Sequence, residues 1–539
     1  MRGMLPGRWV RAVVAALFFA GAAVARGAAP ADSSLVDAVR SGNYDSVREQ
    51  IARHADVNAP GEDGESPLAW AVHRDDLKMA DALIRAGADV NRANDYGVTP
   101  LSLACTNRSG AMVERLLAAG ANPNAAQLTG ETPLMTCSAT GTVDGVKALL
   151  ARGAQVDARE KERGQTALMW AVAEKQTEVV RVLLEHGADV HARSRVFPFP
   201  EPFQQPSKNI FGSSYDDTVR FPKQTGGFTP LLFAAQKGDI EAAALLLAAG
   251  ADVNERTEDE GTALIIASHS GHEKMALFLL SKGADPKAKD GWGITALHYA
   301  LNKGLLTLAG MRRSPTNKFG WERPNMPELA KALLAAGADP NAKIEHDFPP
   351  YDYAPIARVN GNDHAQMSLV GVTPYLLAAA SSDIDLMRVL VEARADPKIA
   401  TPEGVNALLV CAGLGVERGI NDEQMAIAAA KLALQLGSDV NAKKEDGRTA
   451  LHAAAYLGWN DMIRLLVAKG ADLEAKDMYG ETPLSIALGD PEGLVYRQLP
   501  GGRYDDRFRN PREQKKTAEL LLELGAKPFT GKYRDRSGE

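Results

Sequence analysis

The segment TPLLFAAQKGDIEAAALLLAAGADVN, residues 229–254, decides the fold of this chain. Thr229 suits a helix N-cap, and Pro230 suits the first helical position, where its missing N–H costs no hydrogen bond. A second helix is predicted from Ile240, because its leucines form an apolar stripe, and Gly250 is placed to end it as a C′ glycine. The segment is therefore one helix-turn-helix unit.

The same unit recurs along the chain, which predicts a repeat protein. Thr-Pro-Leu, Thr-Ala-Leu or a close variant begins at Ser66, Thr99, Thr132, Thr166, Thr229, Thr262, Thr295, Thr373, Asn406, Thr449 and Thr482, most often 33 residues apart. Gly-Ala-Asp or a similar tripeptide starts 21 residues later at Gly87, Gly120, Gly153, Gly187, Gly250, Gly283 and Gly470. Neither short helix can bury its apolar face alone, so neighbouring units must stack into a continuous core.

The repeated motif resembles that of the ankyrin family. The closest matches are GRTALHAAA at residues 447–455, followed by Gly470-Ala471-Asp472-Leu473, and the pair Ser270-Gly271-His272 with Gly283-Ala284-Asp285. Eleven motif-bearing units and a degenerate first unit at residues 35–58 predict an all-α ankyrin-repeat solenoid of about 12 helix-turn-helix units with irregular insertions. The resemblance implies an array whose turn tips and first helices bind partner proteins. It also implies that His298 and His452 tie a turn to a helix start.

Composition and charge agree with a helical repeat protein and disfavour nucleic acid as a partner. Hydrophobic residues make up 45% of the chain and aromatic residues only 6%, so the apolar content is mostly Ala, Leu and Val. Lys plus Arg total 61 against 68 for Asp plus Glu, a formal charge of −7. There is no excess positive field to attract phosphate backbones.

The N-terminal segment predicts export. Arg2, Arg8 and Arg11 precede an apolar run of 14 residues from Ala12 to Ala25 that ends in Ala-Val-Ala. This is the pattern of a signal peptide over residues 1–25, cleaved after Ala25. A retained membrane anchor is the alternative, but the run is shorter than the roughly 20 residues that span a bilayer. We predict an exported bacterial-type ankyrin repeat protein, periplasmic or secreted, with no membrane span after cleavage.

Departures from the 33-residue period divide the mature chain. Repeats are predicted over residues 31–193, a Phe/Pro-rich insertion over 194–226, repeats over 227–343 with an internal insertion near 304–325, a further insertion over 344–370, and repeats over 371–530 with insertions near 413–424 and 489–511.

The first insertion is unusual in composition. Five of the fourteen phenylalanines fall within it, interleaved with prolines: Phe197, Phe199, Phe203, Phe211 and Phe221. The rings either pack back onto the solenoid or form an exposed anchor surface for a partner. The insertions at 194–226 and 344–370 both lie in turns between units, so they are candidates for one composite docking surface.

The sequence carries no complete catalytic motif. His272-Glu273-Lys274-Met275-Ala276 begins like a zinc-protease motif, but Ala276 stands where the second His ligand is needed. Gly413-Leu414-Gly415 lacks the third glycine of a dinucleotide-binding motif. We therefore predict that the chain is not an enzyme and has no catalytic or cofactor-binding residues.

The insertion at 344–370 contains residue types that can bind a divalent metal. Its acidic and histidine residues are scattered without ligand spacing: His346, Asp347, Asp352, Asp363 and His364. No metal site is predicted. An enzymatic or metal-binding activity assembled from the insertions is kept as an alternative to the scaffold, as is a secreted effector.

The three cysteines are predicted to be unpaired. Cys137 and Cys411 occupy a motif position that elsewhere holds Ala and favours a small buried side chain, and Cys105 sits one residue beyond that position. Stacked helices lie roughly 8–10 Å apart, and this spacing predicts that Cys105 and Cys137 are too far apart for the Cα separation of a disulfide.

These observations predict a monomeric, non-catalytic scaffold that binds a protein partner. The contact surface is predicted to contain large side chains at turn tips, on a first helix and in the Phe/Pro-rich insertion: Tyr96, Phe228, Trp292 and Tyr479 at tips, Tyr456 on a helix, and Phe197, Phe199, Phe203 and Phe211 in the insertion.

Overall fold

The computed structural model describes residues 35–61, 64–198, 224–308, 323–346, 368–414, 423–478, 480–488, 497–499, 503–505 and 514–528. The predicted signal peptide and most of the insertions at 194–226 and 344–370 lie outside this part. Over the described residues the chain has 25 helices and two two-stranded sheets, which confirms the all-α repeat solenoid. No helix in these ranges is long and apolar enough to cross a membrane.

The chain forms two compact units. The first holds the described residues up to Phe197 together with Gln224–Glu258, and the second holds Pro198 and the described residues from Asp259 onwards. In the first unit the elements are α1 (Leu35–Arg40), α2 (Tyr44–Ala52), α3 (Pro67–His73), α4 (Leu77–Arg85), α5 (Pro100–Thr106), α6 (Gly110–Ala118), α7 (Pro133–Thr140), α8 (Val143–Ala151), α9 (Ala167–Ala173), α10 (Thr177–Glu185), the strands β1 (Val196–Pro198) and β2 (Gln224–Gly226), α11 (Pro230–Lys237) and α12 (Ile240–Ala248).

The second unit continues the alternation of first and second helices. Its elements are α13 (Ala263–His269), α14 (Glu273–Ser281), α15 (Ala296–Ala300), α16 (Asn302–Leu308), α17 (Pro327–Ala335), α18 (Pro374–Ala380), α19 (Ile384–Glu392), α20 (Ala407–Cys411), α21 (Glu423–Gln435), α22 (Ala450–Leu457), α23 (Asn460–Ala468), α24 (Pro483–Leu488), β3 (Arg497–Leu499), β4 (Arg503–Asp505) and α25 (Lys515–Glu523). Strands β3 and β4 pair antiparallel, with Gln498 opposite Tyr504.

The helix starts are capped as the motif predicts. Thr229 has an extended backbone, its hydroxyl accepts the amide N–H of Leu232, and Pro230 takes the first helical position of α11. At the other end of the repeat, Gly250 follows α12 with φ +101°, a conformation that side chains with a Cβ rarely adopt. In this repeat, the start of the first helix and the end of the second are therefore set by local residues.

Stacking of like helices builds the core. The leucine at the third motif position is buried in repeat after repeat, as at Leu68, Leu101, Leu134, Leu168 and Leu231. Asparagines in the turns that follow the second helices join neighbouring repeats. Asn91 donates from its side-chain amide to the carbonyl of Gly120 and accepts the amide N–H of Asn122 at 2.7 Å. The same pair of bonds is made by Asn58 and by Asn124 in the adjoining repeats.

The prediction of three unpaired thiols is wrong for two of them. Cys105 on α5 and Cys137 on α7 form a disulfide, with their Cα atoms 4.5 Å apart. The 8–10 Å spacing applies to helix axes, whereas each Cα lies about 2.3 Å from its axis. Two residues on facing sides of neighbouring helices therefore come about 4–5 Å closer than the axes. Cys411 is a free, buried thiol, as predicted.

Candidate functional site

The turns between repeats form a hydrogen-bonded row in the first unit. We call the exposed turn that precedes each first helix a turn tip. The amide of Leu128 donates to the carbonyl of Tyr96 at 3.1 Å, and the amide of Lys161 donates to the carbonyl of Thr129 at 2.9 Å. Arg195 continues the row by donating to Arg163. Because each tip is bonded to the next, the side chains on the tips are held at defined spacings.

Two large apolar side chains stand next to one another on this row. The side chain of Tyr96 is 58% exposed and that of Leu128 is 65% exposed. The Asn94 carboxamide oxygen accepts the amides of both Tyr96 and Val98, which holds the first tip in shape. Sequence reasoning selected Tyr96 and missed Leu128. The available signal for Leu128 was a single apolar residue within the otherwise polar turn 127–130.

Charges of both signs surround the pair. Asp95, Lys161 and Glu162 are exposed on the tips beside it. Glu131, one residue before the cap of α7, is half-buried, and its pKa is raised by burial and by the carboxylates of Glu160 and Glu162. The pair is thus an apolar patch with a polar rim, the arrangement found at protein interfaces.

Phe228 does not lie at the surface, so its predicted place in the contact surface is corrected. It is only 4% exposed, and its ring centroid lies 5.4 Å from that of Phe233. Phe228 precedes the N-cap Thr229, and Phe233 is the fourth helical residue, the two positions of a hydrophobic staple. That spacing in the sequence was the signal for a core residue.

The remaining predicted residues are not gathered into one site by the described structure. Trp292 is half-buried in the second unit, where its carbonyl accepts the amide of Glu345 at 2.9 Å. Tyr456 is half-buried near the end of α22. Phe197 lies on β1 and is 36% exposed. Phe199, Phe203, Phe211 and Tyr479 lie outside the described residues. Met478, beside Tyr479, is 66% exposed.

Both long insertions begin and end on bonded backbone at equivalent turn tips. In the first unit, the Ser194 amide donates to the Phe228 carbonyl at 2.9 Å, and the Phe228 amide donates to the Ser194 hydroxyl. In the second unit, the Ile344 amide donates to the Val372 carbonyl at 3.1 Å. Each insertion therefore leaves and re-enters its repeat at one point, which leaves the repeat intact. The predicted composite docking surface itself falls outside the described residues.

The described residues show no cluster of metal-ligating side chains. No three His, Cys, Asp or Glu side chains within the described ranges are close enough to hold a metal ion. His346 is described, whereas Asp347, Asp352, Asp363 and His364 are not. Asp290 is a buried carboxyl of the second unit: burial raises its pKa to about 6, and it accepts the Tyr299 hydroxyl at 2.8 Å. The tyrosine hydroxyl donates to Oδ2, whereas Oδ1 accepts the amides of both Trp292 and Ile294, so the carboxylate holds the turn together.

Comparison with known proteins identifies the same repeat. The family model described as "Ankyrin repeats (3 copies)" matches residues 35–127, 112–194, 214–290, 231–311 and 423–495, which together cover more than half of the chain. Among curated proteins, mouse ankyrin repeat domain-containing protein 63 is 32% identical over 131 residues, 24% of this chain and 32% of that protein. Mouse B-cell lymphoma 3 protein homolog is 27% identical over 186 residues, 30% of this chain and 37% of that protein.

A shorter match has higher identity. Mouse protein phosphatase 1 regulatory subunit 12A is 42% identical over 65 residues, 12% of this chain and 6% of that protein. The chain thus spans about a third of the length of the first two relatives and far less of the third. The likeness lies in the repeats that these proteins share.

Proposed function

This chain belongs to the ankyrin repeat family, and from that premise we propose that it is an exported, non-catalytic scaffold that binds a partner protein through the turn tips of its first unit. The observation that carries the proposal is the exposed pair Tyr96 and Leu128 on two tips joined by a backbone hydrogen bond. Tyrosine offers a large contact area with few rotatable bonds, and tyrosine is enriched among the residues that dominate interface energies.

The arrangement also lowers the cost of binding. Tips bonded to their neighbours have little conformational freedom left to lose when a partner docks. Leu128 adds apolar area beside the Tyr96 ring, and the charged rim is able to set specificity. Among the relatives, the phosphatase regulatory subunit is by its name a protein that works beside another, in keeping with a scaffold role.

Two observations support export. The sequence of residues 1–25 has the pattern of a signal peptide. Independently, Cys105 and Cys137 are joined in a disulfide, a bond that forms and persists in oxidising compartments such as the periplasm and the exterior. N-terminal sequencing of the mature protein should begin after Ala25, and a mature protein that still begins at Met1 contradicts export by cleavage.

The binding surface is tested by a double replacement, Tyr96→Ala with Leu128→Ala. Truncation of an interface anchor costs about 1–3 kcal/mol of binding free energy. The double replacement should therefore lower the amount of partner protein from the producing organism that is captured by cross-linking at least tenfold. Because both side chains are exposed, the melting temperature should change by less than about 2 °C.

Met478→Ala is the matched control, since Met478 is an equally exposed apolar residue on a turn tip of the second unit. It should leave capture unchanged. Equal loss of capture in the control and the double variant, or full capture by the double variant, contradicts the proposed surface.

A further inference from the structure

Gly145 lies at a position of the second helix where other repeats of the first unit have a side chain. The third residue of these helices is a buried apolar side chain in the other repeats of the first unit that carry both motif helices: Met79, Met112, Val179 and Ala242. In α8 this position is Gly145, within a regular helical turn. Glycine inside a helix is unfavourable relative to alanine, so a packing reason is needed.

The disulfide supplies that reason. A Cβ built on Gly145 would lie 2.9 Å from the Cys137 sulfur and 3.0 Å from the Thr142 methyl. Cys105 and Cys137 are both fully buried. The bridge therefore occupies the space that Met112 and Val179 fill at the same position of the two adjoining repeats, and Gly145 makes room for it.

The bridge joins the two repeats that carry the proposed binding pair. Helix α5 is capped by Thr99, three residues after Tyr96, and α7 is capped by Thr132, four residues after Leu128. The tips themselves meet in the hydrogen bond from the Leu128 amide to the Tyr96 carbonyl. Thus α5 and α7 are linked covalently through their last turns, while the tips that precede their first turns meet through this hydrogen bond.

We propose that Cys105 and Cys137 form an oxidation-dependent staple that sets the pairing of these two tips, so that the Tyr96–Leu128 surface is completed only in the oxidised protein. The two thiols lose two protons and two electrons, the S–S bond forms, and a disulfide donor is reduced to two thiols. After reduction the buried sulfurs must move apart, which separates α5 from α7 and lengthens the bond between the tips. The inference rests on the proposed function only in calling this surface a binding site.

The bridge is first checked by counting thiols. Alkylation of the denatured, unreduced protein should label Cys411 alone, and labelling should extend to Cys105 and Cys137 only after reduction. Labelling of all three cysteines without reduction overturns the staple.

Coupling to the tips is read by hydrogen exchange. The Leu128 amide, followed in peptides that cover residues 126–131, should exchange at least fivefold faster in protein that was reduced in urea and refolded under reductant. Two further tip bonds are internal controls: the Lys161 amide to the Thr129 carbonyl and, in the second unit, the Glu445 amide to the Glu403 carbonyl. Unchanged exchange at Leu128, or equal acceleration at Glu445, overturns the proposal. If the reduced chain does not refold, Cys105→Ala with Cys137→Ala takes its place.

A comparison of two backgrounds tests the role of Gly145. In the oxidised protein, Gly145→Ala should lower the melting temperature, because the new methyl meets both the Cys137 sulfur and the Thr142 methyl. In the Cys105→Ala, Cys137→Ala background the fall should be clearly smaller, because the sulfur is gone, only the contact with Thr142 remains, and alanine favours the helix. An equal or larger fall in the cysteine-free background overturns the argument. Neither measurement uses a partner, so failure of Tyr96→Ala and Leu128→Ala to affect capture would count against the binding function alone.

Discussion

At the scale of single residues, His298 and His452 each tie a turn to the start of a helix, as the family resemblance implied. The Nδ1 atom of His298 accepts the amide N–H of Thr295 at 3.2 Å, and Nε2 lies 3.1 Å from the carbonyl of Ala342 in the next turn. His452 makes the same two contacts, with Thr449 and with the carbonyl of Glu481. Both rings are buried, and both nitrogens of each neutral ring are hydrogen-bonded. The two histidines therefore have a structural role.

These contacts predict a loss of stability in mild acid. Burial lowers the pKa of His298 to about 4, whereas an unfolded histidine titrates near 6.5. Between these values the unfolded state binds more protons than the folded state, so the free energy of unfolding falls as pH drops from about 6.5 towards about 4. The buried Asp290, whose pKa is raised to about 6, acts in the opposite direction between about 4 and 6 and partly offsets the loss.

Replacing His298 with Gln isolates the histidine contribution. Gln can accept from the Thr295 amide and donate to the Ala342 carbonyl without titrating. In urea unfolding of the second unit, the free energy of unfolding of wild type should fall relative to that of His298→Gln by up to about 3 kcal/mol from pH 7 to pH 4. The exposed His191, replaced by Gln, is the control. Parallel pH curves for wild type and His298→Gln would contradict the prediction.

At the scale of elements, α16 shows how an insertion is absorbed between the two helices of one repeat. It follows α15 directly and packs on α18, with Gly304 at the contact. A Cβ on Gly304 would lie 1.9 Å from the backbone carbonyl oxygen of Leu377. The Asn325 side chain then accepts the Lys303 amide and donates to Ser381 and Asp383, which closes the far end of the insertion.

This close approach predicts that Gly304→Ala destabilises the second unit although alanine favours helices. Backbone on both sides cannot yield as a flexible side chain would, and overpacking of this kind costs about 1–3 kcal/mol. The melting temperature should therefore fall by several degrees in calorimetry. Lys303→Ala, one residue earlier in α16, should change it little. A stabilised Gly304→Ala protein would show that α16 does not pack on α18 as described.

At the scale of the whole molecule, each repeat is stabilised by its neighbours in the stack. Helices α24 and α25 contact one another and the preceding repeat of α22 and α23. Removal of this last repeat exposes one interface, whereas removal of an internal repeat joins two surfaces that did not evolve together. The two deletions should therefore differ in severity.

Deletion from Thr482 onwards should leave a folded, shorter array with a modestly lower melting temperature. Deletion of residues 373–405, which contain α18 and α19, should cost far more stability, because it also removes the partner of α16. Circular dichroism and thermal unfolding report both outcomes. Complete loss of helical signal after the terminal deletion would contradict the nearest-neighbour picture.

The sequence by itself determined the repeat, the number of units and the ends of the helices. These features depend on residues within a few positions of one another, such as Thr229 with Pro230, or Gly250 after its helix. The tertiary structure decided which side chains contact one another and which are buried. Cys105 bonds to Cys137, Leu128 stands beside Tyr96, and Phe228 turns inward to Phe233. The first two depend on how far apart two stacked helices hold their facing atoms, and that distance is set by packing of side chains from separate repeats. Phe228 was within local reach of the sequence through its staple spacing, but only its burial showed which way the ring points.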